Sequence, residues 1–317
     1  MALSLGKALL IATRPLQPFM PRMQPELIII GAQKAGTTTL YELLSKHPRI
    51  VQPRVKEVSF FSSESAYAKG MNHYRSFFPR RPLAGLALTF DASPMYLYHE
   101  STAERIARHL PRARCLAVLR HPVERAYSAW NMYHRFNGDP MHGHLYDPRP
   151  FAQAVEDELS GKAVHSAKRY LDRGRYMPQL ERYLHHVGGD RLRVESFETL
   201  KKYPASLVNP VLIDLGLSPF PSDHPAFGTR SNAREYGEPL SPALKRDLIS
   251  YFADDARAVH ERFGIVLIPS NMTMNPHAES GLPHGQTLGV GGPVHHRGPR
   301  AAHHVAASHA GAASRDR

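Results

Sequence analysis

The chain has 317 residues, 42% hydrophobic and 21% charged, which suits one packed α/β domain and excludes disorder throughout. Its single cysteine, Cys115, excludes a disulfide framework, and no apolar run is long enough to span a membrane. The formal charge of +12 divides into +3 over residues 1–25, +2 over 270–317 and +7 between them. This basic balance points to an anionic ligand, leaving nucleic acid, a polyanionic sugar and a phosphorylated cofactor all open.

Residues 1–25 combine a short apolar run, Ala8–Ala12, flanked by Lys7 and Arg14, with prolines at 15, 18, 21 and 25. The run is too short for an anchor or an ordinary signal peptide, so a flexible leader is expected there, with a transit peptide as the other reading. Four short apolar runs then read as buried parallel strands: Leu27–Ile30, Leu86–Phe90, Cys115–Leu119 and Leu192–Phe197. Helical spacing predicts helices over Thr37–His47, Ser101–Leu110, Pro122–Phe136, Phe151–Ser160, Tyr176–Val187, Pro204–Leu215 and Pro242–Phe263. In the last, Leu244, Leu248, Tyr251, Phe252, Val259 and Phe263 fall largely on one stripe. The alternation predicts a single α/β domain over 26–269, with a central parallel sheet flanked by helices. From Ser270 onward no aromatic residue occurs, and Gly, Ala, Pro and seven histidines dominate. That composition predicts a disordered tail over 270–317, because it cannot bury enough apolar area to offset ordering entropy. The irregular histidine spacing argues for a solvated tail rather than a metal site.

Two stretches carry chemistry. Leu27-Ile-Ile-Ile-Gly31-Ala-Gln-Lys34-Ala35-Gly36-Thr37-Thr38-Thr39 reads as strand, glycine turn and helix start. Glycines let backbone N–H groups approach a ligand, and a helix N-terminus adds oriented donors and partial positive charge. Lys34 and the hydroxyls of Thr37 to Thr39 complete a phosphate cradle. The spacing nearly fits the nucleotide P-loop, but Thr37 stands where that motif requires lysine, and the lysine lies inside the loop instead. The second stretch is Cys115-Leu-Ala-Val-Leu-Arg120-His-Pro122-Val-Glu-Arg125-Ala-Tyr-Ser128. Arg120 falls at the carboxyl end of a strand, where open α/β sheets bind ligands, and Ser128 falls in the early turns of the following helix. An arginine and a hydroxyl converging there make a second phosphate site. Arg125 reads equally well as a surface salt-bridge residue.

Gly31 to Leu40 resembles the 5′-phosphosulfate loop of sulfotransferases that use 3′-phosphoadenosine 5′-phosphosulfate (PAPS), and Leu119 to Ser128 resembles their 3′-phosphate motif. The carbohydrate branch, with heparan sulfate N- and 3-O-sulfotransferases and bacterial relatives, is the nearest in flavour. Lys56-Glu57-Val-Ser-Phe60-Phe61 is similar to its glutamate-containing segment. Gly174-Arg-Tyr176-Met-Pro-Gln179-Leu180 is similar to its helix opening. The resemblance covers roughly residues 26–265 and implies a P-loop-like phosphosulfate site. It implies that Lys34, Ala35, Gly36, Thr37, Thr38 and Thr39 hold the 5′-phosphosulfate, and that Arg120 and Ser128 hold the 3′-phosphate. Thr229-Arg230-Ser231-Asn232-Ala-Arg234 resembles a late basic loop closing over the cofactor, with Arg234 the first candidate contact and Arg230 the next. Glu57 is the expected base and Lys34 the group stabilising the leaving phosphate; His73, His99 and Asp91 are weaker candidates for the base.

The expected activity is sulfuryl transfer to a hydroxyl or amine of a carbohydrate or other small-molecule acceptor, with no metal, no nucleic-acid partner and a cytoplasmic location. A P-loop kinase or NTPase and a non-enzymatic polyanion-binding protein are the rival classes. The first needs lysine at position 37, and the second leaves the Gly31 loop unexplained. The acceptor stays open among glycan, glycolipid, phenol and amine.

Overall fold

Hydrophobic runs bounded by turns become the strands of one parallel sheet. The computed structural model describes residues 20–80, 87–162, 165–228 and 240–269. The strands are β1 (Leu27–Gly31), β2 (Phe90–Ala92), β3 (Arg114–Leu119) and β4 (Leu192–Ser196), in the order β2-β1-β3-β4. All pairs are parallel; Ile28 lies between Asp91 and Cys115, and Cys115 to Leu119 run beside Leu192 to Ser196. β1 is buried along its whole length, and β3 is buried after its first residue, as a sheet covered on both faces requires.

The helices are α1 (Thr37–Ser45), α2 (Glu64–Tyr67), α3 (Gly70–Ser76), α4 (Thr102–His109), α5 (Pro122–His134), α6 (Phe151–Leu159), α7 (Tyr176–His186), α8 (Phe197–Lys202), α9 (Pro204–Asp214) and α10 (Pro242–Phe263). α10 packs on α7 and α5, α7 on α4, and α9 on α8 and α1. Proline at the first position starts α5, α9 and α10, and Gly264, in the left-handed region at φ +70°, ends α10. The buried stripe of α10 is Leu248, Ile249, Phe252, Ala256 and Val259; Tyr251, expected on it, is exposed.

The seven expected helices and four strands are all present, with three differences. The second strand is displaced: residues 87–89 pair with the chain at 49–51, through Val51 N–H to the Leu88 carbonyl and Leu88 N–H to the Arg49 carbonyl (2.9 Å each), so the strand beside β1 starts only at Phe90. Phe197 opens α8 rather than ending β4, because the Ser196 hydroxyl accepts from Glu198 N–H and caps the helix (3.1 Å). α2, α3 and α8 were not anticipated; at four, seven and six residues they are too short to establish an apolar period.

At the amino-terminal end, residues 20–25 belong to the fold although the sequence places them in the leader. Met23 is buried and donates from its N–H to the Pro79 carbonyl (2.9 Å), and Arg22 donates to the Phe78 carbonyl (2.9 Å). Residues 1–19 and the expected tail, 270–317, lie outside the described residues.

Candidate active site

The chain leaves β1 toward β2 on one side and then crosses to β3 on the other. The carboxyl ends of β1 and β3 therefore flank a topological switch point, where open parallel sheets place their ligand crevice. Both sequence-predicted phosphate motifs emerge there.

The loop after β1 is shaped by close approaches and left-handed residues. A Cβ on Gly31 would lie 2.7 Å from Leu97 Cβ, so only glycine admits the segment that docks through Leu97 N–H to the Ile30 carbonyl (2.8 Å). Lys34 adopts φ +71° and Gly36 φ +83°, and these two left-handed residues turn the chain into α1. A Cβ on Gly36 would lie 2.9 Å from Leu200 Cδ2 and 3.0 Å from the Phe197 ring, so the first turn of α8 sits directly against the loop. Ala35 is buried, with its N–H donating to the Ala32 carbonyl (3.1 Å); Thr37 is buried, and Thr38 and Thr39 are half-buried. No side chain caps α1 and no acid lies in its first turn, so its positive pole carries no built-in anion.

Arg120 joins this loop to the end of β3. Its Nη1 donates to the Lys34 carbonyl (3.3 Å), its Nη2 to Glu124 Oε2 (3.1 Å), and its guanidinium lies 5.0 Å from the Phe197 ring centre. The Arg120 carbonyl accepts from the Tyr176 hydroxyl (2.9 Å), while Asp255 on α10 accepts from the N–H groups of Tyr176 and Met177 (2.7 and 2.9 Å). Four elements thus fix one arginine beside the loop. Ser128 lies on the buried side of α5. Arg125 is fully buried and donates to the Tyr170 carbonyl, so the surface salt-bridge reading of that residue is wrong. α5 is covered on nearly every face, which leaves no solvent side for Arg125 to occupy.

Glu57 takes a left-handed conformation, φ +61°, and lies exposed with Oε1 2.6 Å from Lys56 Nζ. Two residues on, the Ser59 N–H donates to Ser93 Oγ (3.0 Å), and that hydroxyl donates to Asp91 Oδ1 (2.7 Å). Asp91 is fully buried, and its other oxygen accepts from the hydroxyls of Tyr96 (2.9 Å) and Tyr74 (3.1 Å). Burial raises the Asp91 pKa to about 6, with the three hydroxyls opposing that rise and the Glu57 charge adding to it. The expected base thus projects from a strained segment anchored on a buried carboxylate. His99 lines a separate open cleft with Tyr98, Arg169, Arg175 and Arg182, and burial lowers its pKa. His73 contacts the rings of Phe60 and Phe77.

Sequence reasoning missed Gln33 and Arg173. Gln33 Nε2 donates to the Tyr133 hydroxyl (3.0 Å), and its Oε1 accepts from Arg173 Nη1 (3.0 Å), tying the loop to α5 and to the turn before α7. Their separation of 140 positions hides that contact from local patterning. Arg230 and Arg234 lie outside the described residues. Among the described residues no group of three His, Cys, Asp or Glu is placed to hold a metal ion, and no helix is long and apolar enough to cross a membrane.

Comparison with known proteins places this geometry in a family. The chain is 31% identical over 201 residues to human bifunctional heparan sulfate N-deacetylase/N-sulfotransferase 2, covering 62% of this chain and 22% of that one. To the N-deacetylase/N-sulfotransferase 1 of Caenorhabditis elegans it is 30% identical over 263 residues, covering 75% and 29%. The match thus spans less than a third of these relatives' length. The crystal structure of a sulfotransferase from Alicyclobacillus acidocaldarius superposes with a TM-score of 0.60 at 25% identity, covering 78% of this chain and 98% of that one. The family model for the sulfotransferase domain matches residues 24–219, and the chain belongs to that family.

Proposed function

We propose that this chain transfers a sulfuryl group from PAPS to a hydroxyl or amine of a carbohydrate or glycoconjugate. The observation that carries the reading is the junction at the switch point. The left-handed Lys34–Gly36 turn opens into an uncapped helix, and Arg120 from the neighbouring strand is bonded to the Lys34 carbonyl. PAPS use is general in the family, and this cradle fits such a ligand: glycine leaves the loop backbone bare, and cationic groups surround a helix N-terminus that holds no acid. The names of the relatives, which are heparan sulfate enzymes, support a carbohydrate acceptor.

In this reading Lys34 to Thr39 hold the 5′-phosphosulfate, Arg120 and Ser128 hold the 3′-phosphate, and Arg234 and Arg230 close over the site. When bound, PAPS supplies the activated sulfuryl group. Lys34 and the first N–H groups of α1 stabilise negative charge as it grows on the leaving phosphate. Glu57 accepts the proton of the acceptor, and the Asp91–Ser93–Ser59 chain of hydrogen bonds sets the direction of its segment. Asp91 is less suited to be the base, because three hydroxyl donors occupy its oxygens. A nucleotide kinase would need lysine where Thr37 stands. The proposed domain is 26–269 together with residues 20–25, whose Met23 is buried against it; the tail from 270 onward is dispensable in this reading, and the single thiol suits a cytoplasmic location.

Melting the protein with 3′,5′-bisphosphoadenosine (PAP) and with ATP tests the reading. PAP raises the melting temperature and ATP raises it far less. Equal shifts, or a larger one with ATP and magnesium, would reject it.

A further inference from the structure

The stretch from Glu57 to Phe61 rests on one buried carboxylate. Asp91, in the middle of β2, accepts from the hydroxyls of Ser93, Tyr96 and Tyr74 (2.7, 2.9 and 3.1 Å). Each of these three residues also touches the stretch. Ser93 Oγ accepts from Ser59 N–H (3.0 Å), and the Tyr96 hydroxyl accepts a longer bond from Phe61 N–H (3.5 Å). The Tyr74 ring packs on those of Phe60 and Phe61, with centres 5.0 and 4.8 Å apart. All six of Asp91, Ser93, Tyr96, Tyr74, Phe60 and Phe61 are fully buried. Glu57 and Ser59 stand at φ +61° and +52°, a region that residues with a side chain disfavour, so the stretch keeps its course only while it is held.

A hydroxyl has one proton to donate. Ser93 and Tyr96 both spend theirs on Asp91, so only oxygen lone pairs face the N–H groups of Ser59 and Phe61. That arrangement needs a carboxylate that accepts from every side. A proton on Asp91 points at one of the hydroxyls, which must then turn its own O–H into apolar surroundings or against a backbone N–H. We propose that ionised Asp91 is the positioning residue for the Glu57 segment, acting through Ser93 and Tyr96, and that a proton on Asp91 releases the segment. The consequence for turnover rests on the reading of Glu57 as the base. Burial brings the titration of Asp91 to about 6. The other titratable groups around it stay neutral there: Tyr74 and Tyr96 are pushed well above the ordinary phenol range, and burial raises the Cys115 thiol, across β1, to about 12. The charge that bears on Asp91 is that of Glu57, itself paired with Lys56. Two histidines touch the stretch: His73 meets the Phe60 ring and His109 the Phe61 ring.

The test follows the Ser59 and Phe61 amides of the full chain by NMR hydrogen exchange between pH 5 and 8, corrected for intrinsic exchange rates. The expected result is a fall in Ser59 protection of ~10-fold as the pH drops, with one midpoint near 6, while the amides of β3 keep theirs. Asp91→Asn keeps the shape without the charge and should show the low-pH pattern throughout. Ser93→Ala should lose protection at Ser59 and keep it at Phe61. In transfer assays with labelled PAPS, kcat of the parent should fall with the same midpoint while PAP affinity stays within a few-fold. Ser59 protection that is flat with pH overturns the proposal, and the parent alone decides this even if Asp91→Asn fails to fold. A pH step that survives in Asp91→Asn also overturns it, because a histidine then drives the change; His109→Gln identifies which. Normal turnover by Glu57→Gln would remove the base and leave the amide profile as expected, so the two readings fail separately.

Discussion

Gly36→Ala perturbs the loop with the least chemistry. The backbone at 36 sits at φ +83°, where a Cβ costs about 1–2 kcal/mol. The new methyl would also lie 2.9 Å from Leu200 Cδ2 and 3.0 Å from the Phe197 ring. The leucine end can swing away, but the ring is held under the Arg120 guanidinium. Relieving that overlap adds about 1–3 kcal/mol, so the total loss is about 2–5 kcal/mol. Moving Phe197 also moves Arg120, so PAP affinity should fall at least ~10-fold, about 1.4 kcal/mol. The control is Gly216→Ala: Gly216 has φ +69°, but a methyl added there would meet nothing within 4 Å. It should lose only the backbone contribution and keep PAP binding. Urea unfolding gives the stabilities and calorimetric titration gives the affinities. If the two variants match in both, the close approach of α8 to the loop is not what glycine is needed for.

Arg120→Ala should weaken PAP by ~10- to 100-fold while hardly changing a ligand that lacks the 3′-phosphate, measured by calorimetry. The existing pair with Glu124 must be exchanged for the phosphate, which favours the low end of that range. Ser128→Ala should show the same selectivity; equal losses for both ligands would move these residues away from the 3′-phosphate. Glu57→Gln should lower kcat by about 10²–10⁴ and leave PAP affinity within a few-fold, whereas Lys34→Ala should damage both. Normal turnover by Glu57→Gln with saturating acceptor would remove Glu57 as the base. Asp91 binds its proton more tightly folded, at about 6, than unfolded, near 3.8, so its contribution to stability is greatest below pH 4 and is lost as pH rises through 6. The stability of Asp91→Asn relative to the parent should therefore improve between pH 4 and 7, by up to about 3 kcal/mol in urea melts. A difference that does not change with pH would show that Asp91 is charged throughout.

The parts of the fold that were legible in the sequence are those set by local pattern. Ile28–Ile30 and Leu116–Leu119 are buried on both faces of the sheet, so their apolar runs identify strands directly. Lys34 and Gly36 lie between a strand and an acid-free helix start, and that order alone predicts an anion site. The rest depends on partners distant in sequence. Leu88 is as apolar as a β1 neighbour should be, but it pairs with the segment at 49–51. Nothing near Arg125 reveals that α10 and the turn at Asp172–Gly174 pack against α5, and nothing near Asp91 reveals hydroxyls arriving from Tyr74 and Tyr96. Gln33 and Arg173 meet only once the sheet has formed.

The most direct test of the account is transfer itself. The purified chain is incubated with PAPS labelled in the sulfuryl group and with glycans, glycolipids, phenols and amines, and label in each acceptor is counted. The account predicts label on a carbohydrate hydroxyl or amine, release of PAP in equal amount, and loss of both in Lys34→Ala. Label on no acceptor from a protein that binds PAP no better than ATP would contradict it.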